Sequence, residues 1–186
     1  QQDCRSSHGF CLVDHVLILD QSFGVMKAYS SCVGEGPFAA EQAMTEEEKH
    51  LLREAGHEYG AATGRPRRVG PFDVVASRYG VKCQGADELA LTLLDVLDYM
   101  EKIPVVTHYM LDGEQIDYFP MGEALNRATP VVEYLPGWHC DITGCRKQED
   151  LPKEAMDYIL YLEDMVGCKI KYVSVGPERD QVVVLA

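Results

Sequence analysis

Residues 151–185, LPKEAMDYILYLEDMVGCKIKYVSVGPERDQVVVL, hold a helix, a strand, a turn and a second strand in succession, and this unit decides the fold class. Pro152 suits the start of a helix, where its missing N–H has no partner to lose. Ala155, Ile159, Leu162 and Val166 then recur on one helical face, and Gly167 closes the segment. Lys169–Val175 and Gln181–Leu185 are β-branched runs flanking the turn Ser174-Val175-Gly176-Pro177, so both read as strands. Working back, Val131–Leu135 reads as a short strand before Pro136-Gly137. Pro104–Met110 and Gln115–Phe119 form a predicted β-hairpin about the turn signal Asp112-Gly113. Leu89–Asp98 is a continuous apolar run compatible with either a buried strand or a buried helix. Thr45-Glu46-Glu47-Glu48 is a capping box that starts a helix running through Leu51 and Leu52 to Gly56, where a left-handed glycine cap is expected. Val13–Tyr29 has a rough helical face and is predicted to be a helix, and the glycines and proline of Val33–Phe38 make a tight loop. Helices and strands alternate, so the class is α/β, with several short helices and one β-hairpin.

The chain has 186 residues, of which 46% are hydrophobic, enough for a domain of this size to bury roughly 70% of its unfolded surface without staples. Lys and Arg number 17 against 30 Asp and Glu, a formal charge of −13 that disfavours nucleic acid and anionic membrane as partners. Seven cysteines without repeated spacing, an odd count, fit reduced thiols better than a disulfide framework. His139, Cys140 and Cys145 supply at most three soft ligands, short of a structural zinc site. The apolar run Val13–Ile18 is broken by Asp14 and His15, so no stretch approaches the roughly 20 residues of a membrane span and a soluble protein is expected. The chain starts at Gln1 without an initiator Met or a signal-like segment, and reads as a processed product or an excised piece.

Two stretches carry candidate chemistry. Gly60–Gly70, GAATGRPRRVG, packs Arg65, Arg67 and Arg68 into a glycine loop. Guanidinium forks there suit a carboxylate or phosphate, or else pair with the surplus acids of the chain, and composition leaves both open. Leu94-Asp95-Val96-Leu97-Asp98 sets two carboxylates among apolar residues. A buried Asp beside a pocket accepts two parallel hydrogen bonds from the N1–H and N2 amino group of guanine and discriminates against adenine by about 10⁴-fold. The alternative is that one Asp caps the following segment and the other lies on the surface.

Taken together and in order, several motifs resemble the C-terminal part of the adenylosuccinate synthetase family. They are Lys27-Ala28-Tyr29 leading into VGEGPF (33–38), GAATGRPRR (60–68), LDVLD (94–98), YLPGW (134–138), LP (151–152) with YI (158–159), and VSVGPERDQ (173–181). The resemblance covers the chain from about Asp14, so residues 14–186 are expected to be the C-terminal region of such a domain and 1–13 a poorly defined segment. It implies the C-terminal portion of a larger mixed α/β sheet fold, a cytoplasmic homodimer, and a ligase that uses GTP, with Mg²⁺, to join IMP and L-aspartate. The residues implied for aspartate and IMP are Val33 at the IMP ribose and Ala61, Ala62, Thr63, Gly64, Arg65 and Arg67 in a loop closing on aspartate. Arg65 is implied at the aspartate carboxylate and the IMP ribose, and Arg67 toward the nucleotide phosphates and aspartate. For GTP they are Arg67, Leu93, Leu94 and Asp95, with Ser174, Val175, Gly176 and Pro177 lining the base.

Three positions depart from the family pattern: Ala62-Thr63 stands where two threonines are usual, Leu93 where a lysine is usual, and Cys32 where an arginine is usual. The family's phosphate loop, catalytic Asp base and His acid have no counterpart here, so the segment alone is not expected to catalyse ligation. The rival reading is a catalytically inactive standalone relative that serves as a binding or interaction module.

Overall fold

The computed structural model of the chain describes residues 9–12, 15–18 and 21–186. Strands β1 (Gly9–Leu12) and β2 (His15–Ile18) pair antiparallel as a separate ribbon. Next come β3 (Phe23–Lys27), β4 (Ser30–Cys32), α1 (Glu46–Ala55), β5 (Arg68–Gly70), β6 (Phe72–Asp73), α2 (Val74–Gln84) and β7 (Glu88–Thr92). The chain continues through β8 (Lys102–Leu111), β9 (Glu114–Ile116), α3 (Glu123–Arg127), β10 (Thr129–Pro136), α4 (Lys153–Val166), β11 (Lys169–Ser174) and β12 (Val182–Val184). The architecture is the mixed α/β class expected, with its hairpin and short helices.

Two four-stranded sheets carry the fold. The first runs β12-β11-β7-β3, with β11, β7 and β3 mutually parallel and β12 antiparallel at one edge. The second runs β10-β8-β6 with β9 also on β8. In it β8 and β10 pair antiparallel over most of their length, with a bulge at Val131/Val132. One large apolar cluster unites α4, β7 and β11: Ala155, Tyr158, Ile159 and Leu162 pack with Leu89, Leu91, Ile170 and Val173, all essentially without exposure. Each such aliphatic side chain contributes roughly 1.5–3 kcal/mol by leaving water.

Local signals place the element ends. Thr45 accepts from the Glu48 amide while the Glu48 carboxylate returns to the Thr45 amide at 2.7 Å, so the expected capping box is formed. Asp112 (φ 51°) and Gly113 (φ 91°) both take the left-handed backbone a two-residue hairpin turn needs between β8 and β9. Gly167 (φ 74°) ends α4 as anticipated.

Other expectations are corrected. Phe23–Lys27, inside the stretch expected to be helical, is strand β3, and His15–Ile18 is strand β2; residues 13, 14, 19 and 20 lie outside the described residues. Pairing of β3 with β7 satisfies the backbone groups on the side of β3 that faces the sheet and outweighs the weak helical periodicity. Leu89–Asp98 divides in two: β7 ends at Thr92, and Asp95–Leu97 forms one 3₁₀ turn. Gly56 ends α1 but not in the left-handed region, since its φ is −88° and His57 takes φ 48° instead. Glycine is needed there because a Cβ would stand 2.3 Å from the Tyr29 hydroxyl.

Gly137 meets a harder constraint, for a Cβ there would lie 1.8 Å from the Met100 carbonyl oxygen, a backbone atom that cannot swing aside. Gly137→Ala is therefore expected to destabilise the chain by about 1–3 kcal/mol, read as a lower denaturant midpoint with an unchanged slope.

Candidate functional site

Because β3, β7 and β11 run in parallel, their carboxyl ends emerge side by side, and the chain segments after them are stitched together by backbone hydrogen bonds. The Ala28 amide donates to the Thr92 carbonyl (2.8 Å) and the Leu94 amide to the Ser174 carbonyl (3.3 Å). The row of strand ends in an open α/β sheet is where such folds hold ligands. It brings together Leu93, Leu94 and Asp95 with the turn from Ser174 to Pro177, residues for which the family resemblance implies a single ligand.

Leu93 occupies the left-handed region at φ 61°, a conformation that costs an ordinary side chain roughly 1–2 kcal/mol. That reversal lets Leu94 plug the core with no exposed surface while Asp95 opens the 3₁₀ turn at the sheet's edge. Asp95 Oδ1 is shielded from solvent and has no hydrogen-bond partner. Burial pushes the Asp95 carboxyl above the usual Asp range, and the nearby charges of Asp98 and Asp141 push it further. A shielded carboxylate oxygen without a donor is destabilising, and a donor on a ligand would complete it.

Opposite Asp95, Val175 and Gly176 are buried and Pro177 is exposed. The turn is braced from within: the Ser174 hydroxyl donates to the Gly176 carbonyl (3.0 Å), and Gln181 Oε1 accepts the Glu178 amide (2.9 Å) while its Nε2 donates to the Thr143 carbonyl (3.2 Å).

The second group hangs between α1 and β5. Tyr59 bridges Pro66, the Gly60 amide donates to the Arg65 carbonyl (2.9 Å), and residues 61–66 are exposed above this neck. Arg65 extends from it with no side-chain hydrogen bond or ion pair among the described residues. Arg68 is committed elsewhere: it grips Glu41 through two nitrogens (2.6 and 2.8 Å) and the carbonyls of Gly34 and Gly36, bracing the 33–38 loop. Arg67 donates to Glu58 at 2.9 Å. Of the three arginines, then, two are matched to the chain's own acids and Arg65 is free. The β4–β5 ladder pairs Cys32 with Arg68, so Val33, which is 81% exposed, and Arg67 leave the ladder together on one side.

Sequence reasoning missed Glu58. It is 1% exposed and accepts from Lys27 Nζ (2.6 Å), the Tyr29 hydroxyl (2.6 Å) and Arg67 Nη1 (2.9 Å). Burial alone would raise its carboxyl, but those three donors hold it below the usual Glu range. The Tyr29 phenol is pushed far up, by burial first, then by Glu58, with a smaller contribution from Asp95. Nothing local marks Glu58 among 30 acidic residues, since its partners come from positions 27, 29 and 67.

A cavity of about 440 Å³ opens beside these groups, walled by Lys27, Tyr29, Phe38, Phe72 and Tyr109, and none of the residues predicted to bind ligand lines it. Its buried Asp73 is already satisfied, accepting the Ala76 amide at 3.0 Å and the Tyr109 hydroxyl at 2.5 Å. Among the described residues no three His, Cys, Asp or Glu side chains converge as a metal cage, and no helix is long and apolar enough to cross a membrane.

The adenylosuccinate synthetase family model matches residues 10–183. Curated relatives include the adenylosuccinate synthetase of Synechococcus sp. (strain CC9311), 48% identical over 90% of this chain and 38% of its own length. That of Streptococcus gordonii is 46% identical over 90% of this chain and 39% of its own. A fully ligated adenylosuccinate synthetase from Plasmodium falciparum superposes with a TM-score of 0.84 at 37% identity, covering 90% of this chain and 40% of that one. The chain belongs to the adenylosuccinate synthetase family, and it spans about two fifths of the length of these relatives.

Since the folded pKa of Asp95 is raised, its charge opposes folding at neutral pH, and that opposition disappears as pH falls below the ordinary Asp value of about 3.9. Asp95→Asn is expected to melt higher than the wild-type chain at pH 7, with the difference shrinking toward pH 4 in thermal scans.

Proposed function

We propose that this chain is the guanine-nucleotide- and aspartate-binding portion of a GTP-dependent ligase that joins IMP and L-aspartate in purine nucleotide biosynthesis. In this reading residues 14–186 form the C-terminal region of the ligase, which acts as a cytoplasmic homodimer. The observation that carries the reading is the partnerless, shielded carboxylate oxygen of Asp95 at the carboxyl end of β7, against the braced Ser174 turn. Guanine offers donors at N1–H and the N2 amino group, one of which supplies the unpartnered oxygen, while adenine offers an acceptor at N1 and leaves that oxygen unpaired. Leu93 and Leu94 shape the turn that presents Asp95, and Ser174, Val175, Gly176 and Pro177 line the base.

The free guanidinium of Arg65 takes the carboxylate of L-aspartate and reaches the IMP ribose, with the backbone of Ala61, Ala62, Thr63 and Gly64 closing over the amino acid. Val33 meets the IMP ribose, and Arg67, on the same side, faces the nucleotide phosphates and the aspartate. In the overall reaction the γ-phosphoryl of GTP passes to the 6-oxygen of IMP, and the aspartate amine then displaces it as phosphate, leaving GDP. Mg²⁺ accompanies the GTP and would offset charge on its phosphates; no ligand for it is assigned to this chain. The residues assigned here bind and orient, while proton transfer at IMP is assigned to the remaining length of the family.

A ligation assay on the full-length product with IMP, L-aspartate and GTP tests the reading, and absence of adenylosuccinate overturns it. Arg65→Ala is expected to raise the KM for L-aspartate about 10- to 100-fold, the loss of one charge-assisted hydrogen bond of roughly 1.5–3 kcal/mol. Calorimetry on the chain should show GDP preferred over ADP, and Asp95→Ala should remove the preference; equal binding of both by the wild-type chain counts against the role given to Asp95.

A further inference from the structure

Glu58 stands at the neck of the exposed 61–66 loop and holds both of its sides. Its amide donates to the Arg53 carbonyl at 2.9 Å, tying it to the end of α1, and its carbonyl accepts the Arg67 amide at 2.8 Å. Its side chain then meets Arg67 a second time, through Oε2 and Nη1. The other oxygen, Oε1, accepts from Lys27 at the end of β3 and from the Tyr29 hydroxyl just beyond it. One buried carboxylate therefore joins the strand-end row to the arginine loop.

The charges in this cluster do not cancel. Lys27 and Arg67 each carry a positive charge and are about one third exposed, whereas Glu58 is 1% exposed and carries a single negative charge. The surplus of one positive charge lies at the foot of the loop that carries the free Arg65, in a chain whose formal charge is −13. Without an anion between them, two cations at that spacing would repel and separate. Arg67 also spends only Nη1 on Glu58, while its Nε is buried without a partner, so the guanidinium is fixed with donor capacity left over.

We infer that Glu58 is a positioning residue: it holds Arg67 beside Lys27, with unspent guanidinium donors directed to an anionic substrate group, and so pre-organises the loop that receives L-aspartate. This rests on the reading given under Proposed function. Its physical basis is that a cation held in place before binding loses less freedom on capturing its anion.

The test compares Glu58→Gln, which keeps the shape but removes the charge, with Glu58→Asp, which restores it, and with Ile159→Val, a core change on α4 remote from the loop that serves as a stability control. In the full-length ligase, Glu58→Gln is expected to raise the KM for L-aspartate about tenfold while kcat changes less than about threefold, the signature of lost binding rather than lost chemistry. Glu58→Asp should recover most of that loss, and Ile159→Val should leave the KM unchanged while lowering the melting temperature. An unchanged KM in Glu58→Gln, or an equal rise in Ile159→Val, overturns the inference. A second arm uses the 186-residue chain itself: ¹⁵N NMR of the Arg67 guanidinium should show hindered rotation in the wild type and Ile159→Val, and lose it in Glu58→Gln. If the wild-type ligase makes no product, the reading under Proposed function falls, and the NMR arm alone decides whether Glu58 holds Arg67. Hindered rotation persisting in Glu58→Gln overturns that hold.

Discussion

Parallel pairing of β3, β7 and β11 obliges all three strands to finish on the same side of the sheet, and the candidate site follows from that constraint. The segments leaving the strands must then find partners for their own backbone groups, which they do in one another: Ala28 with Thr92, Leu94 with Ser174. Packing sets the rest. Leu94 enters the core beneath the row, and the left-handed turn at Leu93 is the backbone consequence. Asp95 is thereby carried to the edge, where its shielded Oδ1 meets no donor among the described residues. Strain and desolvation at adjacent residues are offset by the apolar cluster that α4 builds against β7 and β11.

Three carboxylates show how differently one fold treats the same group. Glu58 receives three donors and is held ionised; Asp73 caps α2 and accepts from Tyr109, yet near-complete burial still raises it; Asp95 has an oxygen with nothing to accept and two acidic neighbours. The first two find their hydrogen-bond partners within the chain. The third keeps one shielded oxygen that meets no donor among the described residues. The arginines divide in the same way, with Arg67 and Arg68 answered by Glu58 and Glu41, and Arg65 without a partner among the described residues.

Features governed by neighbours within a few residues were legible before any coordinates. The Thr45–Glu48 box, the Asp112-Gly113 turn and the Gly167 stop each depend on one turn of backbone, so residue type is enough. The stretch around β3 was not legible, because its local periodicity points to helix and only β7, more than 60 residues away, supplies the ladder that makes it strand. The need for glycine at Gly56 was visible, but its cause, the Tyr29 hydroxyl overhead, was not. Glu58 escaped notice for the same reason, its donors being distributed over forty residues of sequence and gathered only by folding.

The amino-acid sequence by itself determined the alternation of helices and strands, the acidic balance, and the order of motifs that marks the family. Those properties follow from composition and short-range spacing. Tertiary structure decided which charges are spent and which remain available, since an ion pair depends on distance through space. It set Arg67 on Glu58 and Arg68 on Glu41, and left the Arg65 side chain and Asp95 Oδ1 without partners among the described residues, because burial and pairing are properties of the packed chain and of no residue alone.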